Sequence, residues 1–107
     1  MAVADDPIID IIRKYIEKLE MNGIPISQAF LFGSCSKGMV KPESDIDVAL
    51  VSEAFSGDRF EDRRRIIPLR REIDSRIEPI PFRPEDFNDG GALAAEIKKT
   101  GIRIIKK

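Results

Sequence analysis

Residues 32–47, with the sequence FGSCSKGMVKPESDID, join two apolar segments of the chain. Gly33 and Ser34 follow the first apolar segment, and Asp45 and Asp47 stand where the second one begins. Side chains two residues apart on a β-strand point to the same face, so we expect the two aspartates to lie side by side. Neighbouring carboxylates away from bulk water repel each other unless a positive charge lies between them. The stretch therefore predicts a cation site.

Each half of this stretch has its own binding chemistry. Mg²⁺ prefers a few carboxylate oxygens together with substrate phosphates. Glycine lets the backbone pass close to a ligand, and the N–H groups at a helix start bind anions, to which the Ser34 hydroxyl would add a donor. If the two apolar segments are neighbouring strands, both halves face one pocket, and Mg²⁺ with a nucleoside triphosphate would suit it. The alternatives are an ordinary Gly-Ser turn and a solvated D-x-D strand edge.

Composition narrows the possible chemistry. The 107 residues are typical of one compact domain, and 18 basic against 19 acidic residues give no global field that would attract nucleic acid or an anionic membrane. The absence of histidine excludes Ser-His-Asp and Cys-His catalysis, and leaves carboxylates, hydroxyls, lysine, arginine and metal ions. A single cysteine, no signal-peptide pattern and no apolar run long enough to span a bilayer lead us to expect a cytoplasmic protein.

Hydrophobic spacing and turn residues predict alternating helices and strands. The predicted helices are a first helix that starts at 5–7 and is closed by Gly23 and Pro25, a short helix or turn over 34–40, a basic helix over 60–73 and a last helix over 92–99. The predicted strands are 29–32, 46–51, 76–82 and 102–105. Pro68 should kink or split the basic helix, and Pro79 and Pro81 favour an edge position or an early end for the third strand. The alternation indicates a mixed α/β domain with a small sheet.

The spacing of the two motifs resembles a known family. L-F-G-S at 31–34, ten further residues, and D-I-D at 45–47 followed by V-A-L-V are similar to the minimal nucleotidyltransferase (MNT) domain of the DNA polymerase beta-like superfamily. The resemblance covers most of the chain and implies a single domain over 1–107. It also implies an α/β (α+β) fold with a small mixed β-sheet flanked by helices. The chemistry it implies is transfer of a nucleoside monophosphate from a triphosphate.

The resemblance assigns roles to individual residues. Gly33 and Ser34 would hold the triphosphate, while Asp45 and Asp47 would bind Mg²⁺, with two ions expected and Mn²⁺ possible. Lys37 matches a basic position of the family that would contact a phosphate. Its alternative role is that of an exposed helix lysine.

A third family carboxylate lies on a later strand in an apolar context. Glu78, in the sequence Ile-Glu-Pro-Ile, fits that place and would complete a metal site and accept the proton of the attacking hydroxyl. The family more often has aspartate there, and Asp74 is the rival at the end of the basic helix. Cys35 stands where the family often has arginine, and we expect a small buried side chain there.

The basic helix carries the arginines 63–65 and 70–71, which invites a nucleic-acid interpretation. Glu61, Asp62, Glu72 and Asp74 neutralise much of this charge, and the default expectation is therefore a solvated, salt-bridged helix. The alternatives are contacts with an acidic partner protein or with the nucleotide.

Stand-alone MNT domains that the sequence resembles pair with a HEPN-type protein, a helical RNase toxin. The resemblance therefore implies a type VII toxin–antitoxin antitoxin that transfers AMP from ATP onto a tyrosine of a HEPN toxin encoded nearby. Two alternatives stay open: a non-catalytic binding module that masks the partner, and a small-molecule nucleotidyltransferase.

Overall fold

The computed structural model describes residues 7–33, 45–89 and 91–104. The helices are α1 (Pro7–Met21), α2 (Arg59–Ile66), a 3₁₀ helix (Ile67–Glu72), α3 (Pro84–Asn88) and α4 (Gly91–Thr100). The strands are β1 (Gln28–Phe32), β2 (Ile46–Val51), β3 (Ile77–Phe82) and β4 (Ile102–Arg103). The predicted elements that fall inside these ranges are confirmed in type. The predicted helix or turn over 34–40, Cys35 and the acidic start at 5–6 lie outside the described residues.

The four strands form one mixed sheet in the order β3-β2-β1-β4. β1 runs antiparallel to both β2 and β4, whereas β2 and β3 are parallel. The strand order confirms the edge position predicted for β3. Pro79 and Pro81 have no N–H to donate, and an edge strand leaves one side of its backbone without a neighbouring strand. The mixed α/β architecture expected from the sequence is thus the observed one.

Strand alternation sends apolar side chains to both faces of the sheet, and each face is covered by different helices. On one face α1 packs its apolar stripe, which includes Ile12, Tyr15 and Leu19, against Val48 and Leu50 of β2. On the other face the alternate residues of the strands meet α3 and α4; this cluster contains Phe30, Ala49, Val51, Phe82, Phe87, Ala94 and Ile97. The odd-numbered side chains of β2, Asp47 included, therefore point toward the α3–α4 side.

Pro68 divides the basic segment as predicted. α2 ends at Ile66, and the chain continues as a 3₁₀ helix with Pro68 in its first turn. The start of α2 lies one residue earlier than predicted, because the side chain of Asp58 accepts hydrogen bonds from the Phe60 and Glu61 amides as an N-cap.

The expectation of a solvated helix was wrong for one carboxylate. Asp62 is only 2% exposed, and its oxygens accept hydrogen bonds from the Ser56 amide (2.8 Å), the Ser56 hydroxyl (3.0 Å) and the Gly57 amide (3.1 Å). The loop that precedes α2 folds back over the helix, so Asp62 satisfies its backbone donors instead of facing water.

No helix in the described ranges combines the length and the apolar character needed to cross a membrane.

Candidate active site

The end of β1 and the start of β2 lie side by side. Phe32 is the register partner of Asp47, so Gly33 leaves the sheet directly beside the Asp47 side chain. Gly33 has φ +76°, and a Cβ added there would collide with Asp47 Oδ2 and lie 3.3 Å from its Cγ. Only glycine combines this backbone conformation with so close an approach of a carboxylate. The two apolar segments are thus neighbouring strands, which is the condition for both halves of the motif to face one pocket.

β3 brings a further carboxylate to the same corner. Glu78 is the register partner of Asp47 across the parallel β2–β3 pair, and adjacent strands lie about 4.8 Å apart. Both side chains are half-buried, and paired residues point to the same face of a sheet. The structure therefore brings together Gly33, Asp45, Asp47 and Glu78, whereas Ser34 and Lys37 lie outside the described residues.

The rival third carboxylate has a local partner. Asp74 precedes β3 and accepts hydrogen bonds from the Arg76 amide (2.9 Å) and from its guanidinium at Nη2 (2.9 Å). The bond from the Arg76 side chain holds the pKa of Asp74 below its usual value. Asp74 thus stabilises the turn before β3, and the geometry favours Glu78 as the carboxylate next to Asp47.

Electrostatic repulsion is present at Asp47. Its pKa is raised above the usual value, first by burial and then by the negative charges of Asp45 and Glu78. Asp45 and Glu78 are therefore close enough to disfavour the ionisation of Asp47, and the contribution of Asp45 is the repulsion that the D-x-D pattern predicted. A nearby positive charge would relieve this repulsion.

Glu78 already interacts with two positive charges. Arg63 Nη2 lies 3.3 Å from Glu78 Oε1, and Arg70 Nη1 lies 3.3 Å from Oε2. Arg70 also donates to the Ile77 carbonyl at 2.6 Å, which fixes its guanidinium against β3. Sequence reasoning left open where these arginines point. Their seven-residue spacing, which places two side chains on one side of a helical segment, was the available signal.

The carboxylate oxygens at this corner of the sheet are of the type that Mg²⁺ prefers as protein ligands. In the ranges that the structure describes, however, no group of three His, Cys, Asp or Glu side chains is arranged to hold a metal ion. Glu78 faces Arg63 and Arg70 instead. Glu78 could join Asp45 and Asp47 around a cation only by exchanging its arginine partners.

The sequence profile described as "Polymerase beta, Nucleotidyltransferase" matches residues 12–107. No curated protein matches the chain at a significant level.

Two solved structures share the fold at low sequence identity. A protein from Sulfolobus solfataricus, assigned as a nucleotidyltransferase, is 17% identical with a TM-score of 0.64, and the match covers 94% of this chain and 81% of that one. A toxin–antitoxin structure with AMP-PNP is 21% identical with a TM-score of 0.56, and the match covers 89% of this chain and 73% of that one. Because the family profile covers most of the sequence, the chain belongs to the polymerase beta nucleotidyltransferase family.

Proposed function

We propose that this protein is a Mg²⁺-dependent nucleotidyltransferase that transfers AMP from ATP to a tyrosine hydroxyl of a HEPN-type toxin partner in the cytoplasm. One observation carries the proposal: the strand register sets Asp47 between Gly33 on one side and Glu78 on the other. A close backbone approach and a cluster of carboxylates thus share one corner of the sheet. A triphosphate with its counter-cation is a ligand that needs both.

In the proposed reaction the acceptor oxygen attacks the α-phosphorus of ATP, and the bond to the bridging oxygen breaks so that pyrophosphate leaves. Asp45 and Asp47 would hold Mg²⁺, which when bound supplies charge neutralisation to the phosphates. The carboxylate of Glu78 would accept the proton of the attacking hydroxyl. Gly33 leaves room for the triphosphate, while Ser34 and Lys37 stay predictions as phosphate contacts.

In the proposed reaction Glu78 would change from a carboxylate paired with two arginines to a proton acceptor. In the structure its oxygens accept from Arg63 and Arg70, which compete with any role as a proton acceptor. An ionised carboxylate paired with a guanidinium is a weaker base than a free one. We therefore infer that binding of nucleotide or acceptor draws at least one arginine away from Glu78 before transfer.

The proposed partner has support from the fold comparison. One structure with this fold is a toxin–antitoxin structure with AMP-PNP, an analogue of ATP. The identity of 21% carries the fold alone, so both the nucleotide and the toxin partner are proposals for this chain.

A non-catalytic binding module is the second candidate. It is favoured by the pairing of Glu78 with two arginines and by the absence of a preformed three-carboxylate metal group in the described part of the chain. In that case the protein would mask its partner by contact alone.

The two candidates are separated by incubating the protein with ATP labelled at the α-phosphate, Mg²⁺ and the HEPN-type product of the neighbouring gene. We expect label on a tyrosine of the partner with wild type and none with Asp45→Asn/Asp47→Asn. Glu17→Gln/Glu53→Gln, which removes two exposed carboxylates elsewhere, is the control for net charge. Neutralisation of the toxin by the Asn variant at wild-type potency, without label, would establish the binding module instead.

A further inference from the structure

An apolar groove lies on the outer surface of α2 and the 3₁₀ helix. It has a volume of about 430 Å³ and is lined by Phe60, Arg63, Arg64, Ile67 and Pro68; we call it the Phe60 groove. Phe60 is 71% exposed, and the Arg64 guanidinium lies 6.0 Å from the centre of its ring. A large aromatic side chain left this exposed beside other apolar groups is typical of a binding surface.

The local sequence explains why this side of α2 packs against none of the other described helices or strands. The residues of α2 that are buried are Asp62, which binds the preceding loop, and Ile66, which packs into the core under α1. Phe60 and Ile67 flank this buried side, and Pro68 stands in the first turn of the 3₁₀ helix that follows α2.

The charge around the groove indicates which occupant it fits. The segment 59–72 carries six arginines against three carboxylates, one of which, Glu61, pairs with Arg64 at 3.1 Å, although the whole chain has a net charge of −1. A basic rim around an apolar centre complements a segment that is acidic and carries an aromatic or aliphatic side chain. Aromatic side chains at the centre of an interface commonly supply most of its binding energy.

The groove is continuous with the candidate active site through one side chain. Arg63 lines the groove and donates from Nη2 to Glu78 Oε1 at 3.3 Å. Its Nε is buried and has no hydrogen-bond partner within the described ranges, so this guanidinium is incompletely satisfied where it stands. An acidic side chain bound in the groove offers Arg63 a better acceptor and would release Glu78 from one of its two arginines.

We propose that the Phe60 groove is the docking site of the acceptor protein, which it binds through an acidic segment with an apolar anchor. This inference rests on the proposed function, because it identifies the groove occupant with the molecule that receives AMP. Docking thereby couples acceptor binding to the release of Glu78.

The test uses fluorescently labelled poly(Glu,Tyr), an acidic copolymer with aromatic side chains, and poly(Lys,Tyr) as its basic counterpart. Binding is measured by anisotropy without ATP, so the result does not depend on transfer. We expect wild type to bind poly(Glu,Tyr) and not poly(Lys,Tyr). Phe60→Ser and Arg64→Glu should each weaken binding by roughly tenfold or more.

Matched controls separate the groove from general exposure and charge. Met21, which is 79% exposed on α1, and Arg103, exposed on β4, lie outside the groove, so Met21→Ser and Arg103→Glu should leave binding within about twofold of wild type. Equal losses in the controls and in the groove variants would overturn the proposal. Self-association of wild type that Phe60→Ser abolishes would overturn it as well, since the occupant would then be a second copy of this chain.

Failure of the docking proposal and failure of the proposed function have different signatures. If wild type labels the toxin partner and Phe60→Ser does so with unchanged KM and kcat, the function stands and the docking site is wrong. If the groove variants lose poly(Glu,Tyr) binding but wild type labels no acceptor, the docking surface stands and the transferase function is wrong. If Phe60→Ser raises the KM for the acceptor with little change in kcat, both the docking site and the transferase function are supported.

Discussion

Replacing Gly33 by alanine tests the close contact between the end of β1 and the Asp47 carboxylate. Two separate penalties are expected. The first is backbone strain, because Gly33 has φ +76°, a conformation that L side chains rarely adopt. The second is a collision of the new Cβ with Asp47 Oδ2, which forces the carboxylate out of the corner that it shares with Glu78.

Gly23 offers a matched control for the first penalty. It has φ +84°, but a Cβ added there would have nothing within 4 Å. Gly23→Ala should therefore cost only the backbone strain, about 1–2 kcal/mol. Gly33→Ala should cost about 2–5 kcal/mol, since overpacking adds about 1–3 kcal/mol to the same strain.

The assay is urea unfolding of the single variants and of Gly33→Ala in an Asp47→Ala background. Without the carboxylate, the nearest Asp47 atom to the new Cβ is the Asp47 Cβ at 3.4 Å, an ordinary contact. The cost of Gly33→Ala should then fall to that of Gly23→Ala, which gives a coupling free energy of about 1–3 kcal/mol. Equal costs for Gly33→Ala in both backgrounds would refute the contact, and with it the proposed geometry of the corner.

Three further substitutions test individual interactions by urea unfolding. Asp47→Asn should raise the free energy of unfolding at neutral pH by at most about 1 kcal/mol, because it removes a repulsion from neighbouring carboxylates that solvent partly screens. Since the pKa of Asp47 is raised in the folded state, the folded protein binds more protons than the unfolded one. The free energy of unfolding of wild type should therefore fall relative to that of Asp47→Asn as the pH rises from the pKa of Asp47 in the unfolded state through its pKa in the folded state. A difference between the two proteins that stays constant across that interval would contradict the raised pKa of Asp47. Asp62→Ala should lower the free energy of unfolding by about 3 kcal/mol, since three loop donors lose a buried acceptor. As a control, replacing the exposed Glu61 by alanine should lower it by less than about 0.5 kcal/mol. Similar losses in the two variants would argue against the buried hydrogen bonds of Asp62. Tyr15→Phe should cost about 1 kcal/mol, because the buried hydroxyl donates to the Ile66 carbonyl at 2.7 Å, and an unchanged midpoint would show that this bond is not formed.

Local patterns in the sequence were enough to predict most elements and the two-strand motif. The division of the basic helix at Pro68 and the edge position of β3 both follow from a missing N–H. The proximity of Asp45 to Asp47 follows from their two-residue separation at the start of β2. These features depend on one residue or on its near neighbours, so a single sequence contains the information.

The features that sequence reasoning left open depend on long-range pairing. Glu78 meets Asp47 because β2 and β3 pair in one particular register, which only the folded sheet fixes. Arg63 reaches Glu78 because α2 packs against β3, and Asp62 is buried because its loop folds back. A charge count along the helix treats all these groups as solvated, and it therefore misses both the arginine pair on Glu78 and the buried carboxylate.

Binding of a non-hydrolysable ATP analogue, measured by titration calorimetry with Mg²⁺ and with chelator, tests whether this corner of the sheet is a metal–nucleotide site. Wild type should bind the analogue with Mg²⁺, and affinity should fall more than about tenfold with chelator or in Asp45→Asn/Asp47→Asn, because the carboxylates and the phosphates share the metal charge. Glu17→Gln/Glu53→Gln should bind as wild type does. Equal affinity in wild type and the Asn variant, with or without Mg²⁺, would contradict the claim that this corner of the sheet is a metal–nucleotide site.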